Sequence, residues 1–257
     1  MLSEGTLLMR NAYRMLLLAA TFSAASPGAL WAKPARVLVF SHSTGYRHMS
    51  IEAGVAALKA LGTRRGMTIV ASEDPAIFDG DRLKSYDAII LLSNSTKRND
   101  PASEWWVGKR RETLQAFVRR GGGIVGIHAA SDSHYNWPWY GRMIGGWFTS
   151  HPKGTPSGQV TVTNPRHPAN KGLQSPAKRA DEWYYFEDHD PTTQTLATLD
   201  PTSIGEADVN PNPAAWSHEF EGARVFYTAM GHTPESFSEP WFLRHVEGGL
   251  NWVLKKR

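Results

Sequence analysis

The chain has 257 residues and no cysteine. That absence excludes a disulfide framework, a thiol nucleophile and every thiolate metal site. An excess of one charge is also missing: 28 Lys and Arg against 24 Asp and Glu leave a net charge of +4. The basic residues are scattered, apart from short clusters at Arg64-Arg65, Lys109-Arg110-Arg111, Arg119-Arg120 and Lys255-Lys256-Arg257. No basic stripe with interleaved aromatics occurs, so nucleic acid is not an expected partner. The longest apolar run, Met15 to Ala25, is too short for a comfortable membrane span. Several motifs are missing as well: a Walker loop, H-E-x-x-H and G-x-S-x-G. Gly121, Gly123 and Gly126 formally match a dinucleotide fingerprint, but they end a predicted helix and run into a strand, the reverse of the required order. Asn94-Ser95-Thr96 fits a glycosylation acceptor, a match short enough to arise by chance.

What remains is ordinary globular composition, 41% hydrophobic and 20% charged, with ten tryptophans. At the N-terminus, Arg10 and Arg14 precede the apolar run, which gives way to small residues. This is the order of a secretory signal peptide, and cleavage is expected near Ala25 or Ala32. Residues 1–32 are therefore read as an address, with Met9 as an alternative start, and 33–257 as one domain in the periplasm or outside the cell. An uncleaved membrane anchor is the competing reading.

Arg36–Ser41, Met67–Ala71, Asp87–Ser93 and Ile124–Ile127 read as buried strands. Ile51–Arg65 and Ser103–Arg120 have helical spacing and alternate with them. That alternation predicts a parallel sheet covered by helices on both faces. In the second half, Gln159–Thr163, Leu196–Leu199, Ala214–Phe220 and Ala223–Thr228 are strand-like and separated by turns, and Pro240–Leu254 is a closing helix. This half is expected to be partly antiparallel.

Ligands of open α/β sheets bind beyond the carboxyl ends of the strands. The residues there are Ser41–His48, with His42, Tyr46, Arg47 and His48; Asn94–Thr96; His128–Asp132; and Gly231-His232-Thr233. Three separate strand ends deliver histidine to one edge, which packing alone does not explain. His48 with Glu52, and His128 with Asp132, are each four apart. On one helical face such a carboxylate orients the imidazole and raises its basicity, as a base or a metal ligand needs. Taken singly, each pair also suits a helix-surface contact. Trp137, Trp139, Tyr140, His151 and the Asp181-Glu182-Trp183-Tyr184 segment add aromatics beside acids, fit for stacking on sugar rings or for core packing. Without cysteine, a divalent metal such as zinc would need His48, His128 and His232 as ligands, with Asp or Glu.

At Ser41–His48, Gly121–Ala130, Trp137–Tyr140, Ser150–Pro152, Asp181–Tyr184, Ala215–His218 and Val225–Thr233, the sequence resembles the ThuA-like (trehalose utilisation) family. The resemblance spans about residues 36–254 and implies the flavodoxin-like, three-layer fold of the class I glutamine amidotransferase-like superfamily. That superfamily presents its cysteine in a G-x-C-x-G elbow. Here the elbow reads Gly126-Ile127-His128-Ala129-Ala130, so glutamine amidotransfer is excluded. The family's link to trehalose and 3-keto-sugars implies a carbohydrate substrate and acid/base chemistry of the lyase, hydrolase or isomerase type. The expected roles are His128 as base and Asp132 as its orienting group, with His48, His232 and Glu182 completing the site. Arg47 would hold an enolate, and His42, Tyr46, Asn94, Trp139, Tyr140 and His151 would contact sugar. A non-catalytic carbohydrate-binding protein is the alternative. Nothing in the sequence excludes a homo-oligomer. His128 is expected to face solvent, so that His128→Ala would cost within about 1 kcal/mol of stability.

Overall fold

The computed structural model describes residues 33–208 and 210–254. Residues 1–32, read from the sequence as a signal segment, lie outside them. Among the described residues, no helix is long and apolar enough to cross a membrane.

Five strands make the parallel part of the sheet: β1 (Arg36–Phe40), β2 (Thr68–Ser72), β3 (Ala88–Leu92), β4 (Gly123–Ile127) and, from the far end of the chain, β11 (Ala223–Thr228). β3 and β4 are buried at every residue, as a strand covered on both faces must be. Alternate residues point to opposite faces. Val37, Val39, Ile90, Val125 and Ile127 join the core under α1 (Ser50–Arg65) and α4 (Pro240–Leu254). Leu38, Phe40, Ile89, Leu91 and Ile124 join the core under α2 (Lys109–Arg119) and α3 (Pro138–Ile144). The result is the expected three-layer α/β fold.

Beyond β11 the sheet continues antiparallel through β10 (Asn212–Phe220), β9 (Gln194–Asp200), β6 (Ser157–Val162) and β7 (Ala177–Ala180), giving the order β2-β1-β3-β4-β11-β10-β9-β6-β7. β5 (Trp147–Ser150) and β8 (Tyr185–Glu187) form a separate two-stranded ribbon. The mixed sheet matches the expectation of a partly antiparallel second half.

Two elements differ from the sequence reading. α2 starts at Lys109 rather than Ser103, because Gly108 adopts a left-handed φ of 51° that interrupts the helical path. The stretch before it sends Trp105 and Trp106 into the core. No α-helix follows β4 directly: residues 128–131 form a single 3₁₀ turn, and α3 begins seven residues later at Pro138.

α4 packs its Gly248 so closely on the Pro168–Asn170 turn that an added Cβ would collide with the Pro168 carbonyl. Gly248→Ala is therefore expected to destabilise the protein by about 1–3 kcal/mol in denaturant unfolding, because backbone on both sides must move. A neutral effect would mean that α4 docks elsewhere.

Candidate functional site

The carboxyl ends of β1, β3, β4 and β11 lie at one edge of the sheet, since these strands are mutually parallel. His128 stands at the end of β4 with φ of 52°, a left-handed conformation rare for a side-chain-bearing residue. Such strain costs on the order of 1–3 kcal/mol and persists only where its surroundings enforce it. They do so here. The Tyr227 hydroxyl donates to the His128 carbonyl at 2.8 Å, and His128 Nδ1 lies 2.6 Å from the Ala229 carbonyl. A carbonyl only accepts, so Nδ1 carries the hydrogen and Nε2 is left facing the site.

His128 Nε2 meets His232 Nδ1 at 3.1 Å and Glu182 Oε2 at 3.3 Å. His232 Nδ1 and Glu182 Oε2 close the triangle at 3.1 Å. His48, buried just before α1, packs edge-on to both imidazoles with ring centroids 4.7 and 5.2 Å away. One ligand atom from each of His48, His128, Glu182 and His232 lies within 4.8 Å of the others. Glu182 also receives His151, whose Nδ1 is 3.2 Å from Oε1. Tyr184 lies over the His128 ring at 4.3 Å and 32°.

The titration of these groups follows from their surroundings. Burial tends to raise the Glu182 carboxyl, but the adjacent imidazoles of His128 and His232, which take up positive charge beside it, outweigh burial and hold it well below the usual carboxylate range. The same bond to Glu182 raises His232 against the opposing effect of burial. His48 is lowered to about 2, first by burial and then by repulsion from His128 and His232. It is therefore a neutral imidazole with a lone pair to offer. His128, Glu182, His232 and His48 together can hold a divalent cation.

A family model described as ThuA, trehalose utilisation, matches residues 36–253. The chain belongs to the ThuA family. Among solved structures, a ThuA-like protein from Bacteroides uniformis ATCC 8492 is 24% identical, with a TM-score of 0.72, covering 89% of this chain and 95% of that one. A second ThuA-like protein, from Parabacteroides merdae ATCC 43184, is 18% identical, with a TM-score of 0.70 over 87% and 91%. PurLQS from Thermotoga maritima shares the fold at 16% identity, with a TM-score of 0.55 over 86% and 100%. No curated protein sequence matches the chain.

In this ThuA-family chain, five expected site residues meet at one place: His48, His128, His232, Glu182 and His151. Others lie elsewhere. Asp132 does not orient His128: the left-handed turn at His128 ends the helical register, and Asp132 Oδ1 instead accepts the Tyr135 hydroxyl at 2.5 Å. The Ala229 carbonyl does the orienting. Glu52 does not pair with His48 but with Arg47, at 3.0 Å. Arg47 is also held by Glu73, at 2.7 Å, and so is engaged outside the cluster. His42 packs on Trp105, with centroids 4.8 Å apart, rather than on the other histidines. Trp139 and Tyr140 are core residues, because α3 is buried against the sheet, and the Tyr140 hydroxyl donates to the Ala130 carbonyl at 2.6 Å. Asn94 is wholly buried beside Tyr140. Tyr46 does face solvent, 61% exposed, edge-on to His48 at 4.8 Å.

The sequence analysis named Asp181 only within the Asp181–Tyr184 segment and gave Ala229 no role: the Asp181 carboxylate acts on backbone N–H groups and Ala229 through its carbonyl, which leave no residue-type signature. The adjacency of Asp181 to Glu182 was the only available signal.

His128 is 0% exposed, which reverses the expectation of a solvent-facing ring. Its truncation leaves a cavity and an unpaired Ala229 carbonyl. His128→Ala is now expected to lose about 2–4 kcal/mol in denaturant unfolding of the metal-free protein. A loss below about 1 kcal/mol would contradict this packing.

Proposed function

We propose that the protein is an exported, metal-assisted carbohydrate enzyme acting on trehalose-related disaccharides or their 3-keto derivatives. The observation that carries this reading is the triangle of donors. With Nδ1 of His128 committed to a carbonyl, a neutral His128 turns its Nε2 lone pair toward the Glu182 carboxylate at 3.3 Å. Two lone pairs at that distance need a positive charge between them. A second proton on His128 would supply one, and so would a divalent ion. Bonds of about 2.0–2.1 Å from zinc to nitrogen or oxygen place neighbouring donors about 3.3–3.4 Å apart in a tetrahedral shell and about 2.8–3.0 Å apart in an octahedral one. The three separations here are 3.1, 3.1 and 3.3 Å. Three histidines and one carboxylate also suit zinc and related ions chemically.

When bound, such an ion would polarise a sugar carbonyl or hydroxyl as a Lewis acid. With His128 as a ligand, the base falls to another group. Asp132, outside the donor triangle but within electrostatic reach of Glu182 and His151, is the candidate: burial raises its carboxyl to about 6, against the opposing bond from Tyr135 and the charge of Arg98. A base with that value works near neutral pH. In a 3-keto-glycoside the hydrogen on C2 is acidified by the ketone. Asp132 would take that proton, the C2–H electron pair would form a C1=C2 double bond conjugated to the ketone, the C1–O bond would break with its electron pair leaving on oxygen, and that oxygen would take a proton from solvent to become an alcohol. Tyr46 and His151, at the exposed side of the cluster, would contact the sugar. Export rests on the signal-like order of residues 1–32.

The test is incubation of metal-loaded protein with trehalose and with 3-keto-trehalose. Turnover of the keto-sugar that chelator abolishes is the expected result. Asp132→Asn should lower kcat on the order of 10²- to 10⁴-fold. It should also remove the fall in activity below about pH 6, where the native carboxyl is protonated and cannot act as a base. Saturable sugar binding without turnover would favour the carbohydrate-binding alternative instead.

A further inference from the structure

We infer that Asp181 is a positioning residue that holds Glu182 and His232 in register with each other. This inference rests on the metal-site reading above. Asp181 is completely buried. Its Oδ1 accepts the backbone N–H of Glu182 and of His232, both at 3.0 Å. Its Oδ2 accepts the N–H of Gly231 at 2.9 Å and faces Arg179 Nη2 at 3.3 Å. One carboxylate thus ties together the backbones of two cluster residues that come from different parts of the chain. Glu182 follows β7, four places from β11 in the sheet order, whereas His232 follows β11 itself.

With three N–H donors and a guanidinium around it, Asp181 has little acceptor capacity left for a ligand. Its function is therefore exerted through its neighbours. A buried carboxylate also needs its charge balanced. Arg179, equally buried, supplies that balance and is itself held by Glu239 at 2.9 Å, by Ser236 Oγ at 3.4 Å and by the face of Phe242 at 4.9 Å. The clamp is thereby anchored at the start of α4.

Outer contacts that orient metal ligands are typically worth 10- to 100-fold in affinity. Asp181→Asn keeps the size of the side chain but loses the charge and one carboxylate acceptor. Glu239→Gln weakens the same network on the far side of Arg179 without touching either ligand-bearing backbone. Titration of the full-length variants with Co²⁺ should show a dissociation constant raised about 10- to 100-fold in Asp181→Asn. It should change by less than about threefold in Glu239→Gln, whose ion pair is partly solvated. The ¹⁵N imidazole shifts of His232 in the metal-free protein should move in Asp181→Asn and stay in place in Glu239→Gln. Equal losses of affinity in the two variants would overturn the inference, since they would show a general structural network. If wild-type protein binds no divalent ion, the metal reading fails, and the His232 shifts alone decide: no movement in Asp181→Asn overturns the positioning role. Should Asp181→Asn not fold, Arg179→Lys takes its place, and an affinity no lower than that of Glu239→Gln would overturn the inference.

Discussion

An imidazole nitrogen of His128 and a carboxylate oxygen of Glu182 are held 3.3 Å apart at the carboxyl edge of the sheet, an approach that calls for a positive charge, a proton or a cation, between them. The surrounding architecture keeps them there. A 2.6 Å hydrogen bond to the Ala229 carbonyl fixes the His128 tautomer. The left-handed backbone at His128 aims its ring off the end of β4, and the Tyr227 hydroxyl pins that turn. Each of these features has a cost, in strain or in desolvated polar groups, that ordinary packing would not require. A positive charge at the centre, either a second proton on His128 or the divalent ion proposed above, turns this approach into an attraction.

The fold makes this geometry by joining two kinds of sheet. The parallel strands bring His48, His128 and His232 to one edge, as open α/β sheets bring ligand-binding groups to their carboxyl ends. The antiparallel extension then returns the chain over that edge and adds Glu182, the one negative charge of the cluster. Asp181, Arg179 and Glu239 tie this return to the β11 end and to α4. The superfamily elbow that this turn resembles presents a cysteine nucleophile. Histidine at that position, combined with distant acidic and basic partners, suits charge stabilisation and proton transfer instead.

Much of this was legible in the sequence. The all-apolar Ala88–Leu92 run, the glycine stop after α2 and the histidines following three of the parallel strands, β1, β4 and β11, pointed to the fold and the place of the site. The contacts of individual side chains were less legible. The four-residue spacing of His128 and Asp132 implied a helix, but residues 128–131 form one 3₁₀ turn, so the two side chains diverge. Trp139 and Tyr140 carried a pattern that fits sugar stacking and core packing equally, and burial of α3 decided for the core. The positioning role of Asp181 runs through backbone N–H groups and depends on a strand order that the sequence does not spell out.

The central claim is that this ThuA-family chain holds a divalent ion among His48, His128, His232 and Glu182. X-ray absorption at the zinc edge, on protein purified without chelator and loaded with one equivalent of zinc, tests it most directly. The account predicts one ion per chain, with histidine-type scattering and nitrogen or oxygen neighbours at about 2.0–2.2 Å, and loss of that signal in His232→Ala. A chain that retains no stoichiometric zinc, or whose zinc keeps its full histidine shell in His232→Ala, would contradict it.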